Sequence, residues 1–120
     1  MDQWNAVAGY DPVMNTFLVV WLDARGSVNN QGSTPNDDFD LYGVVIPAGG
    51  SQSLTPFVVV LANNGQRGPQ IGYDYGANQY YLAWNERRSG ADYDIYGARL
   101  TTSGLSLDST GVLLSSTAGN

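Results

Sequence analysis

The chain states one pattern twice. Gly9-Tyr10-Asp11 leads through Asn15 to Trp21-Leu22-Asp23-Ala24-Arg25. At an offset of 63, Gly72-Tyr73-Asp74 leads through Asn78 to Trp84-Asn85-Glu86-Arg87-Arg88. Phe39-Asp40-Leu41-Tyr42-Gly43 is answered by Tyr93-Asp94-Ile95-Tyr96-Gly97, at an offset of 54. Gly50 and Gly104, Val58 and Val112, and Gly65 and Gly119 pair at the same offset of 54. The offset shortens because the first copy carries a longer loop, Gly26 to Asp37. Self-similarity at a fixed period marks a repeat architecture, in which one unit cannot bury its apolar surface alone. The chain is therefore read as two units, 1–66 (with an insertion at 26–37) and 67–120.

Each unit reads as four short strands. In the first, Ala6 to Tyr10 ends at the turn Asp11-Pro12-Val13-Met14-Asn15, where Pro in second place and a late Asn suit a tight reversal. Thr16 to Leu22, Phe39 to Ile46 and Phe57 to Ala62 follow, the last after a turn-rich connection from Pro47 to Pro56. The second unit repeats the order as Gln70 to Tyr73, Gln79 to Asn85, Tyr93 to Leu100 and Gly111 to Ser115. No long stretch holds a 3.6-residue apolar period, so no helix is expected. Fifteen glycines, with many Asn, Asp, Ser and Thr, fit a turn-rich antiparallel protein.

Phe17-Leu18-Val19-Val20-Trp21 is apolar at every position. A strand of this kind is covered on both faces, whereas a β-sandwich strand would alternate with polar residues on its outer side. Strands covered on both faces, four to a unit, describe the blades of a β-propeller, which stack face to face around a channel. The segments "YDPVMNTFLVVWLDAR…DFDLYG" and "YDYGANQYYLAWNERR…DYDIYGARL" resemble the blades of bacterial β-propellers with a repeated Leu-Val-Val-Trp…Asp-Ile-Tyr-Gly pattern. They are distantly similar to TolB-type and WD40-type repeats. The resemblance covers nearly the whole chain and implies a blade-building pattern without a catalytic set.

Two blades do not close a ring, since a propeller has about four to eight. An unclosed pair leaves apolar faces in water, which argues for assembly. The expectation is a cyclic homo-oligomer, with three copies giving six blades favoured over four giving eight. Gln3 holds the place in the first unit that Gln66 holds between the units, so the end of one chain can lead into the start of the next. Such an interface is heterologous and closes by rotation. A fragment of a longer propeller, natural or engineered, is the competing explanation.

Charge and composition narrow the function. The net charge is −6, and the five basic residues are all arginines: Arg25, Arg67, Arg87, Arg88 and Arg99. Without a basic patch, nucleic acid is not an expected partner, nor is an anionic membrane surface. Arginine without lysine suits fixed, forked hydrogen bonding. The absence of cysteine removes disulfides, thiolate zinc sites and cysteine nucleophiles from consideration. The opening Met1-Asp2-Gln3-Trp4-Asn5 does not read as a secretion signal, and no apolar run is long enough to span a membrane as a helix.

The sharpest constellation is Trp-x-Asp/Glu-x-Arg, present as Trp21, Asp23, Arg25 and as Trp84, Glu86, Arg88. Residues i, i+2 and i+4 of a strand share a face, so an aromatic, a carboxylate and a guanidinium project to one side in each unit. One reading is a carbohydrate site, with Trp stacking on a pyranose while the charged groups bond its hydroxyls. Two-blade lectins that trimerise into six-bladed propellers use similar residue types between blades. The other reading is a strand-end staple, Arg paired with a carboxylate of its own or of Asp40 or Asp94, above a core Trp. Asp40-Leu41-Tyr42-Gly43 and Asp94-Ile95-Tyr96-Gly97 read as structural, with a buried Tyr and a Gly that permits close approach.

The acidic stretches Asn36-Asp37-Asp38-Phe39-Asp40 and Asp92-Tyr93-Asp94 lack the Asp-x-Asp-x-Asp-Gly spacing of ordered calcium loops. No metal or other cofactor is expected. There is no histidine base and no Gly-x-Ser-x-Gly or phosphate loop, and Glu86 is the sole glutamate, so an enzyme is not expected. The sequence thus points to a non-catalytic, lectin-like binding or scaffold module, extracellular or at the cell surface, with itself and glycans as partners. The alternative is a purely structural two-blade unit without a ligand. The insertion Gly26 to Asp37 reads as a mobile tip, although long loops on rigid scaffolds often carry binding.

Overall fold

Eight strands in two consecutive groups build the molecule. The computed structural model describes residues 3–24, 39–50, 54–61, 65–87 and 92–116. The first group is β1 (Gln3–Asp11), β2 (Thr16–Asp23), β3 (Asp40–Pro47) and β4 (Phe57–Val60). The second is β5 (Gln66–Asp74), β6 (Gln79–Glu86), β7 (Asp94–Leu100) and β8 (Val112–Ser115). Each group forms a four-stranded antiparallel sheet in the order of the chain, β1-β2-β3-β4 and β5-β6-β7-β8. No helix occurs among the described residues.

The turn chemistry is duplicated in detail. Asp11 Oδ1 accepts the amides of Val13 (2.9 Å) and Met14 (3.3 Å), and Asp74 Oδ1 accepts those of Gly76 (2.9 Å) and Ala77 (3.3 Å). A short carboxylate that satisfies the backbone two and three residues on is what favours Asp at such a turn. Each turn closes on an asparagine in the left-handed region, Asn15 (φ 57°) and Asn78 (φ 52°), a conformation that Asn tolerates better than most residues. The phenols of Tyr10 and Tyr73 donate to the side-chain carbonyls of Asn15 and Asn78, which ties each strand to the far end of its own turn.

The first strand of each sheet is longer than the sequence suggested. β1 starts at Gln3 rather than Ala6, and β5 at Gln66 rather than Gln70, one residue before the expected boundary at 67. The cause is a bulge in each, between Trp4 and Val7 and between Arg67 and Gln70. Asn5 (φ 54°) and Gly68 (φ 57°) absorb the extra residue. A bulge bends the strand without ending its pairing, so the Gly68-Pro69 pair that looks like a strand break lies inside a strand.

A second difference lies at the outer edge. Gly50 and Gly104 are equivalent, as expected, with φ of 86° and 91°. Beyond them the register slips by one. Gly43 and Tyr42 pair with Phe57 and Val58, whereas Gly97 and Tyr96 pair with Val112 and Leu113. Val58 is therefore matched by Leu113 and not by Val112. Gly119 lies outside the described residues.

The sheets stack with opposite faces in contact, and the smallest dimension of the molecule is 19 Å, as two sheets about 10 Å apart require. The first sheet contributes Leu18, Val20, Leu22 and Leu41. The second contributes Tyr80, Leu82, Trp84, Tyr96, Ala98 and Leu100, all in one buried cluster. Burying each large apolar side chain stabilises by about 1.5–3 kcal/mol. Polar bonds also cross the junction. Gln66 N donates to Phe39 O at 2.9 Å, and the Tyr80 hydroxyl donates to Gly9 O at 3.2 Å. A Cβ on Gly9 would lie 2.7 Å from the Tyr80 ring, so only glycine allows this approach.

The side-chain alternation of β2 and β6 fixes what remains open. On β2 the buried residues are Leu18, Val20 and Leu22, while Phe17, Val19 and Trp21 look outward. On β6 the parity is reversed. Tyr80, Leu82 and Trp84 are buried, while Tyr81 is exposed and Ala83 and Asn85 are half-buried. The outward face of the first sheet is thus the equivalent of the buried face of the second, and the converse also holds.

Candidate functional site

Both copies of the Trp-x-carboxylate motif are assembled in one way. Trp21 Nε1 donates to Asp23 Oδ2 at 2.9 Å, and Trp84 Nε1 donates to Glu86 Oε1 at 2.9 Å. The same carboxylate oxygens accept the side-chain amide of the residue that opens the neighbouring strand. Gln3 Nε2 reaches Asp23 Oδ2 at 3.0 Å and Gln66 Nε2 reaches Glu86 Oε1 at 3.3 Å. The i, i+2 spacing brings indole and carboxylate to one face, and antiparallel pairing of Gln3 with Asp23 and of Gln66 with Glu86 brings in the amide. Each triad therefore fastens the first strand of a sheet to the end of its second.

The two triads differ in exposure. Glu86 and Gln66 are completely buried and Trp84 is 1% exposed. Trp84 also lies under Gly111 (φ 101°), whose missing Cβ would sit 2.5 Å from the indole ring. No sugar ring can stack on Trp84 in this position, which corrects the expectation of a stacking platform there. Asp23 is likewise fully buried. Trp21 is half-buried on the outward face of the first sheet. Arg25 and Arg88, expected to complete each constellation, lie outside the described residues, as does the insertion at 26–37 and, within the acidic stretches, Asp37 and Asp38. Among the described residues no group of three or more Asp or Glu is placed to hold a metal ion.

The accessible chemistry gathers instead around Trp4, which the sequence reading passed over. Trp4 is 50% exposed and leans on the buried Phe39, with ring centroids 5.4 Å apart. Together with Asn5, Leu22 and Arg67 these two rings line a cleft of about 330 Å³ where the two sheets meet. A second hollow of about 380 Å³ lies on the other side of Trp4, lined by Gln3, Asn5, Ala6 and Trp21. The bulge at Asn5 lets Trp4 stand between the two. Repeat logic could have found this site. Trp4 is the counterpart of Arg67, and Phe39 is the counterpart of Tyr93, over which Arg67 stacks at 5.0 Å. An aromatic–aromatic pair in one unit thus stands where the other has a cation–π pair. Arg87 approaches the same Tyr93 ring at 5.7 Å.

Asp40 and Asp94 are buried, at 5% and 4% exposure. Tyr96 is buried and Tyr42 half-buried. A Cβ on Gly43 would come within 2.8 Å of Val59, and one on Gly97 within 2.8 Å of Leu114 and Tyr81, so the Asp-x-Tyr-Gly segments have the structural character expected of them. At the opposite end of the junction, burial pushes the Tyr80 phenol up to about 12, with the Asp11 carboxylate adding to the effect. On the outer face of the second sheet, the Arg99 guanidinium forks onto Asp108, with bonds of 3.0 and 2.8 Å. Those bonds, with that of the Arg99 amide, hold the Asp108 carboxyl down at about 2.

Comparison of the chain with known protein families, curated proteins and solved structures finds no match. The functional reading therefore rests on the residues themselves.

Proposed function

We propose that the two sheets are blades of a β-propeller whose ring is completed by further copies of the chain, and that the protein is a non-catalytic module that binds carbohydrate. The cleft of Trp4, Asn5, Leu22, Phe39 and Arg67 is the binding site. The observation that carries this reading is the half-exposed Trp4 beside an amide and a guanidinium, in a mostly apolar cleft of about 330 Å³. A small-molecule site is commonly an apolar hollow of this order with a few fixed polar groups. An indole face meets the C–H face of a pyranose, while Asn5 and Arg67 offer donors to its hydroxyls.

A glycan array probed with the labelled chain, followed by titration of tryptophan fluorescence with any hit, tests the proposal. Binding is expected in the wild type and lost in Trp4→Ala, with the melting temperature unchanged. No hit on the array, or binding retained by Trp4→Ala, would overturn it.

The competing reading, a structural unit without a ligand, is favoured by the closed triads. Trp84, Glu86 and Gln66 bond to one another inside the junction and are buried there away from any ligand.

A further inference from the structure

The contact between the two sheets is one junction of a kind for which the molecule carries both halves of another. Several features of the internal junction have a counterpart on the open faces. Tyr80 packs on Gly9, whose Cβ would clash with it at 2.7 Å. Their counterparts are Phe17, which is 38% exposed, and Gly72, above which nothing lies within 4 Å. Within one chain, the space over Gly72 has no use.

The aromatic pair beside that contact is repeated as well. Tyr73 and Tyr80, 5.4 Å apart in the junction, correspond to Tyr10 and Phe17, 5.0 Å apart on the open face. Asp11 is completely buried by the junction, while its counterpart Asp74 is exposed. The bond from Gln66 N to Phe39 O has its counterpart in Gln3 and Tyr93. The hollow lined by Gln3, Trp4, Asn5, Ala6 and Trp21 occupies, on the first sheet, the region that the junction seals over Trp84 on the second.

We infer that a second copy of this chain docks head to tail. The outward face of its first sheet (Phe17, Val19, Trp21) lies on the outward face of this chain's second sheet (Tyr81, Ala83, Ile95), with its Phe17 over Gly72. The occupant is a second copy because the open faces place apolar residues at the positions equivalent to the internal junction, with Phe17, Val19 and Trp21 for Tyr80, Leu82 and Trp84, and Tyr81, Ala83 and Ile95 for Leu18, Val20 and Leu41. The contact is heterologous, and it gives a ring when its rotation divides a full turn. Trp4 of the docked copy then takes the place that Arg67 has within one chain and comes to Arg67, Asn85 and Tyr93, the counterparts of Trp4, Leu22 and Phe39. A closed ring therefore holds two chemically different clefts in alternation, and the second exists only in the assembly.

This inference rests on the propeller reading, but it is tested without a ligand. Light scattering coupled to size exclusion, across a concentration series, gives the mass of the wild type, of Gly72→Val and of Phe17→Glu. Far-UV circular dichroism checks that each variant is folded. Open space over Gly72 means that valine fits the single chain and obstructs only the docked Phe17. The expected result is a wild type at a whole multiple of 12.9 kDa, with three copies favoured, and both variants folded at 12.9 kDa. A wild type that stays at 12.9 kDa throughout the series overturns the inference. So does an oligomer that Gly72→Val leaves intact, because a face-to-face dimer through Phe17 alone does not involve Gly72. An assembled wild type that binds no glycan counts against the carbohydrate site and leaves the junction standing.

Discussion

Trp84 and Trp21 carry the same bond to the same kind of partner, yet one indole is sealed between the sheets and the other stands half-open at the edge of the molecule. The local chemistry is the same, and the difference lies in what covers it. The same holds for Tyr80 and Phe17, for Asp11 and Asp74, and for Gly9 and Gly72. In each pair one copy shows the motif with a neighbour present, and the other shows it without one. A repeat residue can therefore be structural in one copy and accessible in the other without any change of its own.

Substitutions in matched pairs test that contrast directly. The largest effect is expected for the tryptophans. Trp84→Ala should destabilise the chain by about 3–5 kcal/mol, as loss of a buried aromatic does, while Trp21→Ala should cost much less in dilute solution. Equal losses in a urea melt would mean that the two triads are alike after all. The glycines come next. Gly9→Ala forces a Cβ into the Tyr80 ring and should cost about 1–3 kcal/mol by overpacking, whereas Gly72→Ala should be near neutral for the folded monomer. A Gly72→Ala cost as large as that of Gly9→Ala would break the equivalence.

Tyr80 gives a smaller and pH-dependent contrast. Tyr80→Phe creates in the second sheet what Phe17 is in the first and removes the bond to Gly9 O, for an expected cost of about 0.5–1.5 kcal/mol. The Tyr80 phenol is raised from its usual value of about 10 to about 12 in the fold. The neutral form is thus favoured by folding. Its contribution is complete below about pH 10 and is lost as pH rises through about 12. Alkaline melts of the wild type and Tyr80→Phe should converge over that window, and parallel curves would contradict it. The smallest effect is expected on the surface. Asp108 is held down at about 2 by Arg99, so its contribution is present above about pH 4 and fades as pH falls through about 2. Asp108→Asn should remove that acid sensitivity while leaving neutral-pH stability nearly unchanged, because exposed ion pairs contribute little.

Much of the fold was legible because strand chemistry and repeat spacing agree. The strands expected at Thr16 to Leu22 and Gln79 to Asn85 follow from the apolar runs and run one residue further, to Asp23 and Glu86, and the two turns follow from Asp11, Asn15, Asp74 and Asn78. The start of β1 and β5 was not legible. The strands expected from Ala6 and Gln70 stop short of Asn5 and Gly68, whose positive φ accommodates a bulge inside a continuing strand. The slip between β4 and β8 was hidden because glycines at 50 and 104 matched while the connections after them differ by one residue.

The site was less legible than the fold. The motif Trp-x-carboxylate was found, and its shared face was correctly placed, but spacing says nothing about which face a neighbouring sheet covers. Trp4 was passed over because its counterpart is Arg67, so identity between copies drew attention away from it. The residues that line the cleft differ between the units.

Each sheet is a simple meander in which every strand pairs only with its neighbours along the chain. Pairing between neighbours along the chain keeps the contacts within each sheet local, which favours rapid formation of each sheet. The bond from Tyr80 to Gly9 spans 71 residues, so the docking of the sheets is the late, non-local step. Neither sheet has a core until that step occurs. Changes at the two Asx turns should therefore slow folding, while changes at the Gly9–Tyr80 contact should chiefly speed unfolding.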